Sequence, residues 1–274
     1  PTNKLQAQNY DLIMKDLSSL KNYNRNMQHT YDMLMKKIDD VLWFDKVGDV
    51  AYIDKVYITG EPKAKQGSPT SRGYNNPYKF WNYVFIPKNV EQGKKYPLIV
   101  FPHSGVHADM STYYTHIIRE LVAQEYIVIA TEYRGSTGYG SGTYRAIDYG
   151  GLENADVKAG RDYMVENYSI VDKDRIGIMG WSHGGMITLM NLFEYPDAYK
   201  CGYAGVPVSD LISRMGIASD SYRELFSADY HLGATVSQNV KEYKRRSPAW
   251  NTHKLKTPLL VYSTTNDDDV DVLE

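Results

Sequence analysis

Between residues 8 and 44 apolar side chains recur at helical spacing, with Leu12, Ile13, Leu17 and Leu20 in one stretch and Met33, Leu34, Ile38, Val41 and Leu42 in another. Recurrence at i, i+3 and i+4 marks one face of a helix, so the pattern predicts two packing helices in an N-terminal extension over residues 1–48. Residues 50–59 and 80–86 read as strands, joined by a segment over 60–76 rich in Gly, Pro, Ser and Asn that is the expected mobile loop. The aromatic stretch over 78–85, with Phe80, Trp81 and Tyr83, fits a core strand better than a surface for stacking sugar or phenolic rings. From Tyr96 onward the pattern becomes strand, loop and helix in repetition, with short apolar runs at 98–101, 126–130, 175–179, 202–204 and 259–262. Unbroken apolar runs between helical segments belong to strands buried on both faces. The expected fold class is therefore α/β, a mostly parallel sheet with helices on both faces over residues 49–274. A cap-like insertion at about 208–248 supplies Tyr222, Phe226, Tyr230 and Tyr243 as pocket wall.

One strand of this series runs into Gly180-Trp181-Ser182-His183-Gly184 and then into an apolar helix. A serine on so sharp a strand-to-helix turn needs small neighbours on either side, and the turn presents its hydroxyl at the sheet edge, which makes Ser182 the candidate nucleophile. Ligands of parallel sheets gather beyond the carboxyl ends of the strands. The loops at 103–107, at 132–140, at Ser182 and after Tyr262 all follow strands, so they are expected to build one site. His183 is expected to contribute its backbone N–H, with its side chain directed away from Ser182.

Composition narrows the partners. A net charge of −2 and a pI near 6.4 give no reason to expect nucleic acid or an anionic membrane. No apolar stretch approaches the length that spans a bilayer. The chain opens at Pro1, which suits either a cleaved signal peptide or a trimmed chain, and a soluble protein, secreted or periplasmic, is one expectation. The single cysteine, Cys201, lies in an apolar segment and is expected to be a buried, inert thiol. No cofactor is expected, and no metal, since His103 and His107 have only Asp109 nearby in sequence.

Several motifs together resemble the catalytic domain of the prolyl oligopeptidase family, in particular its acylaminoacyl-peptidase-like and esterase branch. They are Tyr96-Pro97-Leu98-Ile99-Val100, His103-Ser104-Gly105, the run from Tyr133 to Gly140, Asp148-Tyr149-Gly150-Gly151, the turn at Ser182, Ser247-Pro248 and Thr257-Pro258-Leu259-Leu260. The resemblance covers about residue 50 to the last residue and implies an α/β-hydrolase fold. It implies Ser182 as nucleophile, Asp267 as the acid with Asp268 as alternative, and an oxyanion hole from the N–H groups of His183 and Gly105. His103, Tyr133 and Trp181 are expected to touch substrate, and Ser104 stands where many relatives have glycine. The family's histidine lies a helix and a strand beyond the acid, whereas all seven histidines here precede Asp267, so the C-terminal part is expected to be missing and this chain alone to hydrolyse poorly. The segment before Tyr96 is too short for the propeller of the large peptidases. The expected activity is thus a serine hydrolase cleaving a carboxylic ester, such as a carbohydrate or aryl ester, through an acyl-enzyme. The alternatives are a serine peptidase acting on small peptides and a non-catalytic binding protein of the same fold.

Overall fold

Residues 2–274 are described by a computed structural model. The expected pair of N-terminal helices is a single helix of 46 residues, α1 (Thr2–Val47). No glycine or proline interrupts it until Gly48, whose close approach to the Phe44 carbonyl leaves no room for a Cβ. Its packing also differs from expectation. Met33, Leu34, Ile38, Val41 and Leu42 are exposed, and the helix docks through Lys36, Trp43 and Val47 instead.

After α1, β1 (Ala51–Pro62) and β2 (Pro77–Pro87) form an antiparallel pair, and β3 (Tyr96–Pro102) begins the parallel region. Helix α2 (Thr115–Ala123) crosses to β4 (Ile127–Thr131), and the short α3 (Ser141–Tyr144) precedes α4 (Leu152–Asn167). Strand β5 (Val171–Trp181) leads into α5 (His183–Glu194), followed by β6 (Cys201–Gly205). The cap region holds α6 (Leu211–Ile217), α7 (Asp220–Ser227) and α8 (Val240–Arg246), and β7 (Leu259–Tyr262) comes last. The seven strands lie in the order β1-β2-β4-β3-β5-β6-β7, all parallel from β4 to β7.

Alternation within the apolar runs sends successive side chains to opposite layers. Leu98, Val100, Ile127 and Ile129 meet α4 and α5, while Phe101, Val128 and Ala130 meet α2 and the end of α1. The aromatic stretch is indeed strand, with Phe80, Tyr83 and Phe85 buried and Trp81 partly open. Each cap helix starts on a side-chain acceptor, Asp210, Ser219 or Asn239, which takes otherwise unpaired N–H groups of the first turn. Two expectations need correcting. Leu260, Val261 and Tyr262 are exposed because β7 is the sheet's edge, and Cys201 is exposed because it opens β6 at the end away from the candidate site.

Candidate active site

Ser182 sits between β5 and α5 at φ 53° and ψ −118°, a conformation costly for a residue with a side chain. The turn is held from both sides. The Ser182 N–H donates to the Gly205 carbonyl at 2.9 Å, and its own carbonyl accepts from the N–H of Met186 at 2.9 Å and of Val208 at 3.3 Å. The flanking glycines are required by close approach. A Cβ on Gly180 would stand 2.4 Å from the Gly184 carbonyl oxygen, and one on Gly184 would stand 2.4 Å from that of Pro102 and 2.7 Å from that of His103. The start of α5 is thereby pressed against the end of β3, where the 103–107 loop begins. His183 opens α5, so its N–H belongs to the first turn and has no acceptor within the helix. Its ring is buried, stacked on Tyr149 at 5.2 Å and 3.5 Å from a Glu153 carboxylate oxygen.

Gly105 adopts φ +77°, and a Cβ there would meet that of Ala108 at 2.7 Å. Its carbonyl is pinned by the Tyr133 hydroxyl, which donates at 2.8 Å and lies 3.0 Å from the His103 carbonyl. Tyr133 stacks on the His103 ring at 4.2 Å, and His103 Nε2 meets Ser136 Oγ at 2.9 Å and a Glu132 carboxylate oxygen at 3.5 Å. Lys36 of α1 pairs with Glu132, and also bonds Asp109 at 2.9 Å and the Met110 carbonyl at 2.6 Å. Both side chains of the Lys36–Glu132 pair are almost wholly removed from solvent. Burial pushes the His103 pKa down, so its ring is neutral in this setting. His103 and Tyr133 have no exposed surface, so the expectation that they touch substrate is replaced by a supporting role under the Gly105 loop. Trp181 is half-buried, its indole resting where a Cβ on residue 205 would otherwise lie and edge-on to Phe101 and Tyr203.

The acid candidate follows β7. One Asp267 carboxylate oxygen accepts the N–H groups of Asp269 and Val270, each at 2.9 Å, and these bonds hold its pKa below the usual carboxylate range. The turn is tied to the cap by Arg214, which donates to the Asp269 carbonyl at 2.8 Å and pairs with its carboxylate at 3.1 Å. β5, β6 and β7 are parallel neighbours with Trp181, Gly205 and Tyr262 in register, so Ser182 and the Asp267 turn leave the same edge of the sheet with β6 between them.

A second buried pair borders the site. His107 of the Gly105 loop meets His231 of the cap, Nε2 to Nε2 at 2.9 Å, and stacks on Tyr144 at 3.6 Å. Among the described residues no group of three or more His, Cys, Asp or Glu is placed to hold a metal ion. A cavity of 470 Å³ lies inside the cap among Ile212, Met215 and Tyr243, and another of 410 Å³ lies between α1 and the β1–β2 edge; Ser182 lines neither.

The sequence profile of the prolyl oligopeptidase family matches residues 112–274, more than half of the chain. The chain belongs to the prolyl oligopeptidase family. It is 30% identical over 188 residues to an uncharacterized peptidase, YuxL, of Bacillus subtilis, covering 68% of this chain and 28% of that one. It is 28% identical over 242 residues to the acylamino-acid-releasing enzyme of Arabidopsis thaliana, covering 82% and 31%. The chain thus spans under a third of the length of these curated relatives. Among solved structures it is similar to an acylaminoacyl peptidase in complex with Z-Gly-Gly-Phe-chloromethyl ketone, with a TM-score of 0.65, 20% identity and coverage of 80% and 33%. It is also similar to a puromycin-hydrolyzing peptidase of Mycobacterium tuberculosis, with a TM-score of 0.64, 24% identity and coverage of 78% and 31%. These likenesses establish the α/β-hydrolase fold of the family.

Sequence reasoning within this family frame overlooked Lys36, Glu132 and Ser136. Glu132 and Ser136 fall inside the 132–140 loop, but Glu132 takes its cation from α1 and Ser136 meets the His103 ring, partners distant in sequence. The one local signal for Lys36 was its spacing from Trp43, seven residues on, along the same helical face.

Proposed function

We propose that this chain is catalytic machinery of a serine peptidase that cleaves short peptides through an acyl-enzyme on Ser182. The observation that carries the reading is the strained Ser182 turn, locked between Gly180 and Gly184 and facing the Gly105 loop. Ser182 Oγ attacks the scissile carbonyl, and its oxygen takes on charge opposite the N–H groups of His183 and Gly105. Asp267, kept ionised by its two backbone donors, orients the imidazole that accepts the serine proton and returns it to the leaving amine. Among the described residues the ring nitrogens of His103, His107, His183 and His231 make no hydrogen bond to Ser182 or Asp267, so none of these is assigned that role.

Ester cleavage would use the same groups, but the peptidase names of the relatives favour an amide substrate. The full-length protein, offered matched N-acylated peptide anilides and aryl esters, is expected to turn over the anilides and to label with a fluorophosphonate at Ser182. Ester turnover without anilide turnover would return the reading to an esterase; absence of labelling would remove Ser182 as nucleophile.

A further inference from the structure

Along α1 the exposed face repeats with a period of its own. Tyr10, Leu17, Asn24, Tyr31 and Ile38 stand seven residues apart, and Ile13, Leu20, Met27, Leu34 and Val41 stand three residues after each of them. This alternation of three and four over ten positions is the a and d pattern of a coiled coil, with a mean period of 3.5 residues. Every apolar member of the set is exposed, from 41% at Leu17 to 70% at Val41. The same helix meets the body of the protein through His29, Lys36 and Trp43, which are also spaced by seven and fall at the f position, and through Asp39, Asp40 and Val47 at the neighbouring b and c positions, all on the side away from the a and d seam. The helix therefore has two faces with separate tasks, one docked and one bare. A helix this long draws most of its stability from packing, and residues 8–28 are exposed throughout.

We infer that α1 forms a parallel, in-register two-stranded coiled coil with a second copy of this chain. Asn24 selects this occupant. It is the one polar residue in the seam, and a parallel in-register copy places it across from another Asn24, where each amide satisfies the other. An antiparallel partner pairs a with d, setting Asn24 against Met27 or another apolar d residue. The flanking charges agree. Asp16 at g stands five residues before Lys21 at e, so in a parallel pair each Asp16 faces Lys21 of the second copy, twice by symmetry. Because the body attaches at b, c and f, the two hydrolase units hang on the outside of the coil and leave the seam, about 45 Å long from Tyr10 to Val41, free to close.

Light scattering and sedimentation equilibrium of the full-length protein at micromolar concentration are expected to give a dimer. The double variant Leu20→Glu/Leu34→Glu changes two exposed positions and should raise the dissociation constant by ~100-fold or more, with near-ultraviolet circular dichroism unchanged. In a Cys201→Ser background, Leu17→Cys should form a disulfide-linked dimer under mild oxidation, since a in-register pairing brings equivalent residues together. A monomer, including one whose stripe is covered by another segment of its own chain, overturns the proposal. So does a trimer, a dimer indifferent to the Leu20→Glu/Leu34→Glu change, or failure of Leu17→Cys to cross-link, which would indicate an antiparallel or shifted pairing.

Discussion

Ser182 and Asp267 leave the same edge of the sheet with one strand between them, and the surroundings of the two differ in kind. At Ser182 the backbone is strained, its N–H and carbonyl are both bonded to neighbouring segments, and α5 behind it is buried from His183 to Phe193. At Asp267 the preceding strand is an exposed edge and the turn is closed by the aspartate's own carboxylate, with Val270 its one buried residue. Ser182 is placed by the core; Asp267 is placed by hydrogen bonds within four residues and by the tie from Arg214 to Asp269. Core packing tolerates little change in volume, so bulk added at the glycines around Ser182 should be read as lost folding, whereas damage near Asp267 should be read as lost orientation in a protein that remains folded.

Removing each reacting group should separate the two regions most sharply. Ser182→Ala should lower kcat of the full-length protein on a peptide anilide by about 10⁵–10⁶, with the melting temperature held within a few degrees. Asp267→Asn should cost about 10³–10⁴ in kcat while Asp268→Asn costs little; equal losses would show that the turn, and not one carboxylate, matters. Gly184→Ala tests the other half of the comparison. Its methyl group would collide with the carbonyls of Pro102 and His103, so a loss of about 3 kcal/mol in urea unfolding is expected, and a neutral result would mean that α5 can move away from β3.

A smaller effect is expected from pH. Burial pushes the pKa values of His107 and His231 down to about 4 and about 3, against about 6.5 when unfolded. Both rings are thus neutral in the folded state, and the unfolded chain binds more protons below pH 6.5. Stability is complete above that pH and is lost as pH falls toward 4, by up to ~1.4 kcal/mol per histidine for each pH unit in the window. Asp267 adds nothing to this change, since its lowered pKa keeps it ionised through the same range and the stability it lends is lost only at still lower pH. Urea midpoints measured at pH 7 and pH 5 should therefore fall apart in the parent and draw together in His107→Gln/His231→Gln. A parent protein whose midpoints coincide would contradict the buried neutral pair.

Much of this comparison was legible in the sequence, because its signals are local. Apolar runs located the strands to within a few residues, and Gly180, Ser182 and Gly184 marked the turn, since a sharp strand-to-helix reversal restricts residue type at fixed offsets. What escaped was set by distant parts of the chain. Two apolar stretches in α1 looked like two core faces, yet nothing breaks the helix between them and the docked face lies on its other side. His103 and Tyr133 have the chemistry of substrate contacts and the placement of structural supports. That distinction rests on Lys36 and Glu132, 96 residues apart, which no local pattern relates.

The Lys36–Glu132 pair also bears on how this protein can be cut for expression. A boundary at residue 48, natural from the composition of the chain, would delete Lys36 and strip Glu132 of its cation beside His103 and the loop that carries Gly105. A fragment begun at β1 would lose the tie between α1 and the loops that follow β3 and β4, so a shortened version meant for crystallisation or display should keep α1 from before His29 onward.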